Sequence, residues 1–120
     1  MDGIIQIKVK GSYLSKDTSR GGVQGEAEVT TLRITFSPDW ADFEDKRITF
    51  FNALGRCAEP IPLTEPEEGT DNVYLLPIPG AALEHGGWYS FVIDGYSGKK
   101  RKRSEECKLM SSYAGSYAGE

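Results

Sequence analysis

Glu28-Val29-Thr30-Thr31-Leu32-Arg33-Ile34-Thr35-Phe36 settles into strict alternation over its second half. Leu32, Ile34 and Phe36 point one way, Thr31, Arg33 and Thr35 the other. A period of two marks a strand with one buried and one wet face, the usual condition in antiparallel sheets. The run stops at Ser37-Pro38-Asp39, where Pro38 has no N–H for a ladder and Ser and Asp favour turns or caps.

The same pattern recurs on either side. Residues 4–10 place Ile5, Ile7 and Val9 on one face, and residues 88–94 do so with Tyr89, Phe91 and Ile93. Residues 46–53 read as a strand whose facing is ambiguous, because Phe50 and Phe51 are adjacent. Residues 72–78 form another, and Ile61-Pro62-Leu63 fits a short edge strand, where proline is tolerated. Residues 12–25, polar and rich in glycine, read as a long loop with at most a short strand near Tyr13 and Leu14. Residues 99–110 read as one polar edge strand after the turn Gly95-Tyr96-Ser97-Gly98. Trp40 and Phe43, three residues apart, lie on one side of a single helical turn and are expected to plug an end of the core. Residues 80–84 fit one further helical turn.

The expected fold is therefore all-β, an immunoglobulin-like antiparallel sandwich of about seven strands with no substantial helix. It occupies residues 1–110 as one domain, with 111–120 as a tail of small residues that repeats Ser-Tyr-Ala-Gly. The composition agrees: 38% apolar with thirteen aromatics is enough for one core, and twenty Gly and Pro residues fall largely between apolar runs. A net charge of −4 argues against general nucleic-acid binding and gives no attraction to an anionic membrane. No apolar run approaches a membrane span. Met1-Asp2-Gly3-Ile4-Ile5-Gln6 shows no secretion signal, which predicts a protein kept in a cytoplasm until it is assembled into something larger. Cys57 and Cys107 match no metal spacing and are expected as unlinked thiols, a single bridge being the alternative.

Reactive groups do not converge. His85, the single histidine, sits in a Gly-rich turn with no Ser or Cys motif, and nothing in the spacing makes a dyad of it and Cys57. Gly21-Gly22-Val23-Gln24-Gly25 lacks the Lys-Ser/Thr of a phosphate loop. Residues 65–71 lack the alternating oxygen ligands of a calcium loop. No catalytic residue, metal or cofactor is expected. What stands out is the charge layout. Residues 59–72 hold five acids and no base, including Glu65, Glu67, Glu68 and Asp71. Lys99, Lys100, Arg101, Lys102 and Arg103 are five consecutive bases. Such a ribbon serves either as a guard on an edge strand or as a docking site for acidic loops, and alternation divides it between two faces. In identical copies one segment can meet the other across a heterologous interface. Tyr113 and Tyr117 of the tail are expected to be ordered by a neighbour.

Residues 34–50, Ile34-Thr35-Phe36-Ser37-Pro38-Asp39-Trp40-Ala41-Asp42-Phe43-Glu44-Asp45-Lys46-Arg47-Ile48-Thr49-Phe50, resemble the Phe-Ser-x-x-Trp segment that joins two strands in small tail, baseplate and fibre modules of phages of Gram-positive hosts. In those modules the segment belongs to an immunoglobulin-like or baseplate-upper-protein-like N-terminal sandwich. Val73-Tyr74-Leu75-Leu76-Pro77-Ile78-Pro79 with Leu83, and Trp88-Tyr89-Ser90-Phe91-Val92-Ile93-Asp94-Gly95-Tyr96, extend the likeness over residues 28–98. The resemblance implies a non-enzymatic virion structural protein, assembled in the host cytoplasm. Its partners would be other virion proteins or copies of itself, not nucleic acid or membrane. The alternative is a carbohydrate-binding or adhesion module with a surface glycan as partner, which Trp88, Tyr89 and Tyr96 exposed on one surface would favour.

Overall fold

In the computed structural model, which describes residues 3–113, the alternation of residues 4–10 becomes strand β1 (Ile4–Lys10), with Ile5, Ile7 and Val9 buried. The order continues β2 (Tyr13–Lys16), β3 (Arg20–Val23), β4 (Thr31–Phe36), β5 (Asp45–Phe51), β6 (Ile61–Leu63), β7 (Val73–Pro77), β8 (Gly87–Ser97), β9 (Lys100–Arg103) and β10 (Cys107–Ser112). Single 3₁₀ turns at Pro38–Trp40 and Gly80–Leu83 are the helical elements among the described residues. One sheet runs β2-β1-β4-β7. The other runs β3-β10-β8-β5-β6, with β9 also paired to β8. The protein is thus an immunoglobulin-like β-sandwich.

The inward faces agree with the alternation. Leu32, Ile34 and Phe36 of β4 meet Ile48 and Phe50 of β5 and Tyr89, Phe91 and Ile93 of β8 in one core. Phe50 is the inward member of the ambiguous pair, and Phe51 lies on the outer face. Trp40 closes one end, fully buried, with its ring 5.1 Å from that of Phe36 and its Nε1–H donating to the Gly11 carbonyl at 2.8 Å. Phe43 packs beside it, 6.3 Å between ring centres, but stays half-buried. Lys46 is buried in the same region. Its ammonium donates to the Phe43 carbonyl at 2.8 Å and lies over the rings of Phe36 and Tyr74. Burial holds its pKa below the ordinary lysine value.

Three expectations are corrected. Residues 12–25 are not a continuous loop. The short strand near Tyr13 and Leu14 forms as β2, and β3 forms beyond it where a loop was expected, each at a sheet edge with almost no buried side chain, so the described residues hold ten strands and not seven. The pairing is not wholly antiparallel: β1 runs parallel to β4 and β3 parallel to β10. Residues 99–110 are not one edge strand. Ser104 interrupts them, its N–H donating to the Ile93 carbonyl and its hydroxyl accepting from the Ile93 N–H. Past that break β10 lies between β8 and β3, with Cys107 and Leu109 in the core, and continues to Ser112.

Both cysteines are free, Cys57 exposed and Cys107 buried. Burial pushes the Cys107 thiol up to about 11. At pH 8 a thiol reagent should therefore modify Cys57 in the native protein and Cys107 only on unfolding; rapid modification of both would place Cys107 outside the core. Between the unfolded value of 9.0 and the folded value the unfolded chain loses this proton first, so the contribution to stability is complete below pH 9.0 and declines as pH rises toward about 11.

Candidate protein-docking surface

The hairpin joining β8 to β9 fixes where the five bases go. Gly98, at φ +59°, takes the left-handed first position of a two-residue loop, and Ser97 pairs with Lys100. Tyr96 then faces Arg101, Gly95 faces Lys102 and Asp94 faces Arg103. Because Ile93 and Phe91 point inward, Asp94 and Tyr96 belong to the outer face of the sheet, and so do Arg101 and Arg103. Lys102 turns to the other side, over the Trp40 ring at 5.5 Å and 3.1 Å from Asp39. Lys99 and Lys100 are exposed and, among the described residues, in no ion pair. Within its sheet β9 pairs with β8 alone among the described strands, so the other side of its backbone lies open.

On the outer face the register of β5 against β8 adds a residue that lies far away in the sequence. Arg47 pairs with Asp94, so Arg47, Asp94 and Arg103 form one row across three strands, and Asp45, Tyr96 and Arg101 form the next. Arg103 donates to Asp94 through Nε at 2.7 Å and Nη2 at 3.3 Å, and Arg101 Nε stands 3.5 Å from the same carboxylate. Arg47 donates to Asp45 through Nε and Nη2. The guanidiniums of Arg47 and Arg101 both lie over the Tyr96 ring, at 5.5 and 5.8 Å. Three arginines are thereby clamped in place by one aromatic ring and two carboxylates. The three arginines line a groove of about 250 Å³ together with Asp94, Tyr96, Phe51, Pro60 and Val92.

The acidic segment lies elsewhere. It follows β6, which borders β5, whereas β9 borders β8. Across the sheet Leu63, Lys46, Gly95 and Lys102 align, with the acidic segment leaving one edge and the basic strand forming the other. Glu67 pairs with Arg33 of β4 at 3.0 Å. Glu65, Glu68 and Asp71 are exposed, and Asp71 lines a cleft of about 490 Å³ together with Glu44 and Lys46. Among the described residues no ion pair joins residues 99–103 to residues 65–71, so the two segments do not neutralise each other within one molecule.

The other candidates take ordinary places. Cys57 donates to the neighbouring Ala58 carbonyl, and no hydrogen bond links it to His85. Gly21 and Gly22 belong to β3. Among the described residues no cluster of metal-ligating side chains occurs, and no helix is long and apolar enough to cross a membrane. Tyr113 lies against Gly86, while Tyr117 falls outside the described residues. Trp88 and Tyr96 do share the outer face, but Tyr89 points into the core, its hydroxyl donating to the Gly21 carbonyl at 2.6 Å, so the three-aromatic surface does not exist. Arg47, Asp45, Asp94 and Tyr96 were not singled out from the sequence as docking residues. Alternation and the Gly98 turn were signal enough for Tyr96 and Asp94, whereas Arg47 and Asp45 enter through long-range register. Compared with models of known protein families and with curated proteins, the chain matches none.

Proposed function

We propose that the protein is a non-enzymatic structural part of a phage virion, a tail, baseplate or fibre adaptor or a surface decoration, that works by docking to copies of itself. The supporting observation is the separation of unneutralised charge. The open edge of β9 carries Lys99 and Lys100, and the opposite edge of the same sheet leads into Glu65, Glu68 and Asp71; none of the five is in an ion pair among the described residues. Opposite charge at opposite edges suits a head-to-tail contact, which repeats around a ring or along a filament. The virion context rests on the resemblance of residues 34–50 to phage tail modules.

Reversing all five bases would set a new carboxylate at position 103 against Asp94 and another at position 102 against Asp39, confusing folding with docking. Lys99→Glu with Lys100→Glu avoids this. The double variant is expected to melt within about 1 °C of wild type, since exposed unpaired charges contribute little to stability, and to self-associate at least about tenfold more weakly by sedimentation velocity at low salt. Wild-type association in that variant would leave Lys99 and Lys100 as an edge guard alone.

One observation favours a second reading, glycan binding. Trp88 is 54% exposed, beside a groove of about 310 Å³ lined also by Asn52, Glu106 and Lys108. An aromatic face next to polar side chains suits a sugar ring. Quenching or enhancement of Trp88 fluorescence by a surface glycan, abolished in Trp88→Ala, would support it.

A further inference from the structure

We propose that the outer face of the six-stranded sheet holds a carboxylate-recognition site, formed by Arg47, Arg101 and Arg103 around Tyr96, that receives the acidic segment of a neighbouring copy, residues 59–72. The inference rests on the self-docking reading and names the surface that does the receiving.

The donors point to this chemistry. Arg103 and Arg47 each spend Nε and Nη2 on Asp94 and Asp45 and, among the described residues, keep Nη1 unbonded. Arg101 makes no hydrogen bond among them and is held only by its 3.5 Å approach to Asp94 and by the Tyr96 ring, so both its terminal nitrogens are unspent. Three guanidiniums stand against two carboxylates, which leaves net positive charge on the site. Asp94 projects outward yet its side chain is only 6% exposed, because the arginines cover it. An incoming carboxylate therefore meets donors and not Asp94. Planar donors held in place cost little entropy on binding and match a carboxylate with two parallel hydrogen bonds.

The groove beside the arginines adds a second requirement. Its lining sets Phe51, Pro60 and Val92 beside the arginines, Asp94 and Thr49, so the fitting segment carries an apolar side chain next to its acids. Residues 59–72 do this outside the groove wall itself: Pro66 is exposed between the exposed Glu65 and Glu68, and Pro62, also exposed, lies three residues ahead of Glu65. A bare polyanion lacks that feature.

The test is a titration of the full ¹⁵N-labelled chain with a free peptide of residues 59–72, following the side-chain Nε–Hε signals of its six arginines. The expected result is that Arg47, Arg101 and Arg103 shift, while Arg20, Arg33 and Arg56 do not. Arg101→Gln should weaken the peptide about tenfold without changing the signals of Arg20, Arg33 and Arg56 in the free protein. Absence of shifts, or equal shifts in all six, overturns the proposal. So does binding of sulfated dextran at the arginines when the peptide does not bind, which would make this a general polyanion site. Peptide binding by a chain that stays monomeric would uphold the site and refute self-docking. A salt-sensitive oligomer whose strength is unchanged by Arg101→Gln would do the reverse.

Discussion

Trp40→Ala should destabilise the protein by about 4 kcal/mol, the cost of emptying a fully buried indole site that the surroundings cannot refill. Trp40 is the point where both sheets and their connection meet. It packs on Phe36 of β4, sits against Gly95 of β8 and ties the β1–β2 turn through the Gly11 carbonyl. Small domains hold about 5–15 kcal/mol in total, so one substitution removes a large share. The melting temperature is expected to fall on the order of 15 °C by calorimetry. Trp40→Phe separates two contributions. It keeps an aromatic plug but orphans the Gly11 carbonyl, and should recover more than half of the loss. A Trp40→Ala variant that melts within a few degrees of wild type would mean that the end of the sandwich is closed by something else.

Gly21→Ala should cost about 2–3 kcal/mol, although glycine to alanine in a strand is normally favourable. A methyl group there runs into the Tyr89 hydroxyl and comes within 2.8 Å of Leu109 Cβ. Either β3 lifts away from β10, or Tyr89 turns out and surrenders its buried hydrogen bond. In the first case the Gln24 N–H and Met110 N–H, which donate to Ser112 and Ser19, lose protection from hydrogen exchange. Tyr89→Phe alone leaves the Gly21 carbonyl unpaired and should cost about 1 kcal/mol. Combined with Gly21→Ala it removes the atom that clashes, so the double variant should be more stable than the sum of the singles predicts. Strict additivity would show that the methyl group and the hydroxyl do not meet.

The sequence carried the parts of this fold that bury side chains. β1, β4 and β8 announce themselves by alternation, and the Trp40 plug by a spacing of three. β2 and β3 bury almost nothing of their own. They are strands because β1 and β10 offer them a ladder, and only the folded chain brings those partners near. The split between β9 and β10 was hidden for a related reason. Ser104 substitutes its own groups for ladder bonds, and Cys107 and Leu109 are too few to signal burial among the eight charged residues of 99–110. The charged ribbon was legible as a ribbon, and its division between faces follows from alternation. Its meeting with Arg47 was not legible, since that depends on the register of two strands far apart in the chain.

Self-docking through opposite charged edges is most directly tested by the molar mass of the wild-type chain in solution, by light scattering at about 0.05 M and about 1 M salt. The Debye length shrinks to about 3 Å at the higher salt, which screens exposed charges from one another. The expected result is a multiple of 13.2 kDa at low salt that falls toward 13.2 kDa at high salt. A mass of 13.2 kDa at both, at protein concentrations up to the millimolar range, would contradict it.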